Sequence, residues 1–490
     1  MNRFSKKAIV PILLGSATLQ FQAFASENER PNILLIHSDQ HRYDCVAHNG
    51  NNIVQTPNID QLARDGMRFT NAYTPIPTSC PARQCLLTGL WPEKHKGLWN
   101  YDITLPVTPF NEEVWTSELQ KAGYKTGYVG KWHVHQTKTP LDFGFDDYVS
   151  DNDYRKYRNE LNIAQEIALD SMFWFGGIDP ADLNESHTHY LAQKCIELIK
   201  KYEAEGMPWH IRLDHAEPHL PCFPVKQFLD MYKAEDIPAW KNFSDKFDNK
   251  PYIQKQMKYN WGIENIKWEQ WARYMQRYYA IISQLDDAVG MVLKAIDDMN
   301  LRDNTVVIYT ADHGDAAGSH GFIDKHYVMY DEEVHIPFIV RWPGVIKPGS
   351  VNTDFVIHEL DMAATIPAIA GVNWKSQGAN LLPLFRGETP SDWRKYAFSN
   401  YNGQQFGLFV QRMIRDNNFK YIWNMTDMDE FYDLKADPAE MKNQIKSKKY
   451  AKQISIMRKA LYDDLVKRKD PVVRQQATKR QLVDGVKVTR

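Results

Sequence analysis

At 490 residues the chain exceeds the size at which one hydrophobic core stops growing, so a large domain with a smaller companion is expected and a small module is excluded. Hydrophobic residues at 43%, aromatics at 12% and charged residues at 24% suit a sizeable core and exclude a disordered or fibrous chain. Lys and Arg total 59 against 61 Asp and Glu, a formal charge of -2, so no global basic field recruits nucleic acid or an anionic membrane.

In chain order, Arg3, Lys6 and Lys7 precede an apolar stretch over 8–19 and a small-residue pattern, Ala23-Phe24-Ala25. This predicts a signal peptide over 1–25, cleaved near Ala25, and a secreted or periplasmic protein. The stretch is short of the roughly 20 residues that span a bilayer, so no stable membrane insertion is expected. Short β-branched or aromatic runs at 32–39, 124–130, 209–213, 305–311 and 338–342 predict strands. Helices are predicted at 56–66, with Pro57 at its start and Gly66 at its end, and at 116–123. The alternation argues for an α/β sheet, mostly parallel, between helices. Segments 151–184 and 233–268 read as irregular insertions above the sheet that shape a pocket. From 387 the character changes: strands at 396–401, 407–412 and 419–423, a turn at Asp416-Asn417-Asn418 and a charged helix over 438–467 predict a smaller α+β subdomain with an antiparallel sheet. The expected division is 26–386 and 387–490, with the basic tail 469–490 a solvated or wrapping terminus. Five cysteines have no zinc-like spacing and specify no disulfide pairing.

The chemistry begins where the first strand runs into Asp39-Gln40, because the carboxyl ends of strands border the ligand crevice in open α/β sheets. Asp39 and Gln40 are oxygen donors suited to Ca²⁺ or Mg²⁺. The strand at 305–311 delivers Asp312-His313-Gly314-Asp315, and two such strand ends can build one divalent site.

Between them lies Thr78-Ser79-Cys80-Pro81-Ala82-Arg83, followed by Thr88-Gly89. This resembles the signature of the formylglycine-dependent sulfatases, in which a Cys or Ser lies two positions before a proline, with Arg and Thr-Gly beyond. Further segments match in order from 31 to about 443: Thr56-Pro57-Asn58, Gly130-Lys131-Trp132-His133, Pro218-His219-Leu220-Pro221, Ala311-Asp312-His313-Gly314, Gly318 to Lys325, and Phe431-Tyr432-Asp433-Leu434 with Asp437-Pro438.

The resemblance implies an alkaline-phosphatase-like fold and a sulfuric ester hydrolase. It implies that Ser79 becomes formylglycine (3-oxoalanine), made by an anaerobic-type sulfatase-maturing enzyme, and that Asp39, Gln40, Ser79, Asp312 and His313 hold the metal, calcium with magnesium as the alternative. The hydrated aldehyde would attack sulfur with one hydroxyl and expel sulfate with the other as His133 takes its proton. Arg83, Lys131 and Lys325 would neutralise the oxygens, and His219 would protonate the leaving alkoxide, with His215 the weaker alternative. His313 stands where many members carry Asn, and its nitrogen suits calcium less than oxygen does.

His95, Trp99, Asn100 and Tyr101 lie just beyond the nucleophile segment and offer faces and polar groups to a sugar, although core packing explains the aromatics nearly as well. Export together with a serine-type signature resembles the glycan-degrading sulfatases of anaerobic bacteria, implying an exo-acting carbohydrate sulfatase with a sulfated saccharide substrate. The rival readings are a phosphodiesterase or phosphonate monoester hydrolase of the same fold, an aryl or choline sulfatase, and a silent sulfoglycan-binding protein.

Overall fold

A computed structural model of the protein describes residues 30–103, 105–108 and 110–487; the expected export signal lies outside the described residues. The chain opens with strand β1 (Asn32–Asp39), helix α1 (Pro57–Asp65), strand β2 (Met67–Phe69), and helices α2 (Ser79–Thr88) and α3 (Trp115–Lys121). Strands β3 (Lys125–Gly130) and β4 (Asp147–Val149) follow, then helices α4 (Asp151–Glu160) and α5 (His187–Glu205) and strand β5 (Trp209–Pro218). Helices α6 (Tyr252–Trp261) and α7 (Trp268–Asp298) precede strands β6 (Thr305–Ala311), β7 (Phe338–Arg341) and β8 (Ser350–Asn352) and helix α8 (His358–Ile369).

Among the described residues these strands form an eight-stranded sheet in the order β8-β2-β7-β6-β1-β5-β3-β4. The β6-β1-β5-β3-β4 run is parallel, and β7 alone pairs antiparallel with both neighbours. Central β1 is buried along its whole length, as expected for a strand covered on both faces. Side chains alternate between faces. Leu34, Ile36, Ile211, Leu213, Val307 and Tyr309 pack against α1, α5 and α7. Ile33, Leu35, Val306 and Ile308 pack on the other side against α2, α3 and α8. At roughly 25 cal/mol per Å² of apolar surface, these two layers are the main source of stability.

The second sheet is an antiparallel meander of β9 (Ala397–Gln404), β10 (Gly407–Arg415), β11 (Phe419–Asn424) and β12 (Glu430–Asp433), backed by α9 (Ala451–Lys467). The Asp416 carboxylate accepts the Asn418 and Phe419 N–H groups and closes the expected turn.

Several expectations need correction. The segment 151–184 opens with a helix, α4, whose Ser150 and Asp153 form a reciprocal cap. The segment 233–268 contains α6, ended by Gly262 at φ +65°. The charged helix begins at 451 rather than 438, because Asn443 is spent on β12 and the loop at Asn249. The tail, by contrast, takes the wrapping form of its expectation: α10 (Gln476–Leu482) packs into the subdomain, Trp423 donates to Gln481, and Lys487 bonds Asp429. All five cysteines are buried and unbridged. Among the described residues no helix is long and apolar enough to cross a membrane.

Candidate active site

The alternation that builds the core also gathers three carboxylates. Asp39 ends β1, Asp214 lies in β5 and Asp312 follows β6, all on the face covered by α2. The Gln40 N–H donates to Asp312 Oδ1 at 3.0 Å, joining the neighbouring ends of β1 and β6. Gly130, at φ +103°, lets β3 pass so close to β5 that a Cβ there would sit 2.1 Å from the Asp214 carbonyl oxygen. The Lys131 N–H reaches that same oxygen at 2.9 Å.

Ser79 is the first residue of α2, and Pro81 is tolerated beside it because the first turn of a helix needs no N–H bonds. Its hydroxyl lies 2.8 Å from His313 Nε2 and 3.5 Å from Asp39 Oδ1. Nδ1–H of His313 donates to the Gly314 carbonyl at 2.8 Å, which leaves the Nε2 lone pair facing Ser79. Arg83, one turn along α2, is fully buried. Its Nη2 meets Asp39 at 2.8 Å, its Nη1 meets Asp214 at 2.7 Å, and its Nε lies 3.4 Å from Asp312. Lys131 Nζ reaches Asp39 at 2.8 Å and lines the open cleft.

Lys325 spends all three ammonium protons: on Gln40 Oε1 at 2.6 Å, Asp324 at 3.0 Å and His219 Nε2 at 3.0 Å. The Gln40 amide is fixed from behind, donating to Asp315 at 2.6 Å and Asp324 at 3.0 Å. Nδ1–H of His219 donates to the Leu220 carbonyl. His133, half-buried and at φ +43°, has neither ring nitrogen hydrogen-bonded; Asp102 stands 3.9 Å away and Tyr101 packs edge-on at 5.0 Å.

Burial opposes charge on Asp39, yet Lys131 and Arg83 hold its carboxyl well below the usual range. Asp312 goes the other way, pushed up by burial and by the Asp39 carboxylate. Burial and then Lys325 depress His313 to about 3, and burial with Lys325 and Lys131 does the same to His219. His133 falls well below its ordinary value through burial and Lys131. All three imidazoles are neutral bases in the free site.

Asp39, Asp312 and His313 bring one ligand atom each within 4.8 Å of one another. Asp312 Oδ2 is buried without a hydrogen bond. A divalent cation fits this set, since it relieves the repulsion between two carboxylates and the neutral Nε2 has its lone pair inward.

Not every expected residue joins the cluster. His215, one place beyond Asp214 on β5, projects to the opposite face by alternation and is buried near Glu217, at 3.9 Å. His95 is buried with its nitrogens against Cys85 Sγ at 3.3 Å and the Gly97 N–H at 3.1 Å. Asn100 Oδ1 accepts the Cys80 N–H at the start of α2. Trp99 donates to the Pro106 carbonyl and, with Tyr101, lines a separate pocket of about 280 Å³ beside Cys80. The sequence reading passed over Asp214, which His37, Tyr128, Arg83 and Arg212 all contact. Burial notwithstanding, Arg212, His37 and Arg83 hold its carboxyl far below the usual range. An acid at the end of a predicted strand was the available signal. Asp315 and Asp324 were likewise passed over as braces of Gln40.

A cleft of about 630 Å³ opens from Lys131 and His219 toward α4, past Glu217, His187, Arg158 and Phe223. Its volume is that of a small-molecule site.

The sheet, the strand-end carboxylates and the antiparallel second sheet define the alkaline-phosphatase-like class of hydrolases. Solved structures of this fold include one in complex with its substrate D-glucosamine-2-N,6-O-disulfate (TM-score 0.75, 24% identity, 90% of this chain and 99% of that one). Another is the phosphonate monoester hydrolase of Agrobacterium radiobacter (TM-score 0.76, 22% identity, 90% and 95%). Residues 31–372 match the Sulfatase family, and residues 318–467 match the C-terminal family of N-sulphoglucosamine sulphohydrolase. The chain belongs to the sulfatase family and is a sulfuric ester hydrolase. It is 30% identical to an N-acetylglucosamine-6-O-sulfatase of Bacteroides thetaiotaomicron over 512 residues (90% of this chain, 88% of the relative). It is 28% identical to an arylsulfatase of Clostridium perfringens over 481 residues (90% and 95%).

Proposed function

We propose that the protein is an exported, exo-acting carbohydrate sulfatase that works through formylglycine at Ser79 and a calcium ion held by Asp39, Gln40, Ser79, Asp312 and His313. The observation that carries this reading is Ser79 at the start of α2, its hydroxyl between His313 and Asp39 and Arg83 one turn away. Related carbohydrate sulfatases, among them an ulvan-active sulfatase of Formosa agariphila at 28% identity, support a sulfated saccharide as the substrate class. We also propose cleavage near Ala25, a catalytic unit over 26–386, a subdomain over 387–490, and maturation by an anaerobic-type radical enzyme.

Formylglycine supplies a hydrated aldehyde whose hydroxyl can attack sulfur, and a divalent ion supplies Lewis acidity toward the sulfuryl oxygens. The side chains do the rest. Arg83, clamped by three carboxylates, fixes the cage rather than reaching outward. Lys131 meets the anionic group at the cleft mouth, and Lys325 does so from the opposite side. An anion between the two lysines offsets their repulsion of a proton on His219, which adds to burial in keeping that ring neutral. Once protonated, His219 can pass its proton from Nε2 to the leaving oxygen. His133, neutral and without a partner for either nitrogen, is placed to accept the proton released as sulfate departs.

The test is to express the chain with and without a radical maturase, weigh the peptide containing residue 79, and assay sulfated saccharides beside phosphate and phosphonate esters. The expected result is an aldehyde at 79 and sulfate release that depends on it. Thorough chelation should abolish release, and calcium should restore it. An intact alcohol in fully active enzyme, or preference for phosphonate esters, would refute the reading.

A further inference from the structure

We propose that an arc of aromatic rings beside the cleft, led by the exposed Phe173 and Trp174, holds the sugars adjoining the sulfated one, so that the preferred substrate is the end of a sulfated glycan chain rather than a free monosaccharide. This deepens the carbohydrate reading above and rests on it. The arc begins at Phe223, which lines the same cleft as Lys131 and His219. Its ring lies 6.1 Å from Phe173, Phe173 lies 5.7 Å from Trp174, Trp174 lies 6.1 Å from Trp261, and Trp261 lies 5.8 Å from Phe406. Phe406 then stacks on Tyr327 at 6.0 Å, two residues beyond Lys325. One end therefore borders the cleft beside His219, and the other is anchored on the buried Tyr327.

Core packing accounts for Trp261 and Phe406, which lie part-buried against core clusters, but not for the hairpin rings. Phe173 is 55% exposed and Trp174 44% exposed, and they stand on a turn between two-residue strands whose Ile167 is 52% exposed. Contiguous apolar surface left in water marks an interaction site. The two exposed rings, set at 71° to each other, offer separate apolar faces on which pyranose rings can rest while their hydroxyls stay in water. Continuity with the cleft selects the occupant, since a chain whose terminal ester sits between Lys131 and Lys325 has to leave past this wall. The rings come from four separate segments, the turn at 172–176, the loop at Phe223, the end of α6 and the β9–β10 hairpin, so the second sheet contributes to the substrate site.

The experiment uses matured full-length enzyme and sulfated mono-, di- and tetrasaccharides from heparan sulfate, chondroitin sulfate, ulvan and carrageenan. For the series that is desulfated, kcat/KM should rise with chain length. The double variant Phe173→Ala/Trp174→Ala should lose that rise, with roughly a tenfold or greater drop on the tetrasaccharide and an unchanged rate on the monosaccharide, which also reports correct folding. Phe406→Ala, at the far end of the arc, should show the same pattern in smaller degree. A flat length dependence, equal losses on mono- and tetrasaccharide, or unaffected variants would overturn the arc while leaving saccharide desulfation standing. So would sedimentation showing a dimer that the double variant dissociates. Hydrolysis of aryl sulfates with none of any saccharide would refute the carbohydrate reading itself, and the arc with it.

Discussion

At the strand ends Asp39, Asp214 and Asp312 are fully buried, and each is in contact with Arg83. A few residues along the surface, Phe173 and Trp174 stand half in water on a short hairpin, touching little but other rings. One region is fixed by charges that cannot be left unpaired, the other by shape and apolar surface that tolerate rearrangement. The contrast teaches that the reaction is written into the parallel sheet, whereas the choice of what is brought to it lies with the insertions.

That contrast can be broken at either end. The largest effect is expected for Ser79→Ala, which should lower sulfate release by roughly 10⁴-fold or more with the melting profile unchanged; comparable activity in the variant would end the mechanism. Asp214→Ala should act differently. It leaves the Arg83 and Arg212 guanidiniums buried without their shared partner, so about 3–5 kcal/mol of stability should be lost in denaturant titration. An unchanged midpoint would mean that the strand-end charges are not what holds the cluster.

His219→Ala sharpens the assignment within the cluster. Sugar esters, with poor leaving groups, should lose roughly 10²–10⁴-fold and activated aryl esters much less; equal losses would remove His219 as the proton donor. The smallest effect is expected at the cleft wall. Burial opposes charge on His187, but Glu217 at 2.7 Å and Asp151 at 3.3 Å raise it to about 10. Folding thus favours the protonated ring, and the stabilisation is complete below about 6.5 and lost as pH rises toward 10. His187→Gln should cost roughly 1.5–3 kcal/mol at pH 7, with the gap to the parent closing between pH 6.5 and 10 in thermal melts.

The sheet was legible because β1 and β6 are continuous apolar runs, and the signature around Ser79 marked the segment that forms α2. Asp39 and Asp312 could be placed because strand ends border the crevice. Asp214 was missed although it directly follows the strand read at 209–213, because none of the matched motif segments covers it; in the structure β5 runs on past it to Pro218. His215 was misjudged for want of the strand's phase: a single step along β5 changes face. The substrate wall was the least legible part. Trp99 and Tyr101 were picked out for nearness in sequence to Ser79, whereas Phe173, Trp174, Trp261 and Phe406 come together only through tertiary contacts that no spacing encodes.

Ser79 is only 1% exposed once the chain has closed over it. A modifying enzyme has to reach the side chain, which this buried helix start no longer offers. The window for the proposed oxidation therefore runs from synthesis to collapse, and a preparation's specific activity becomes a record of a race between catalyst and folding nucleus.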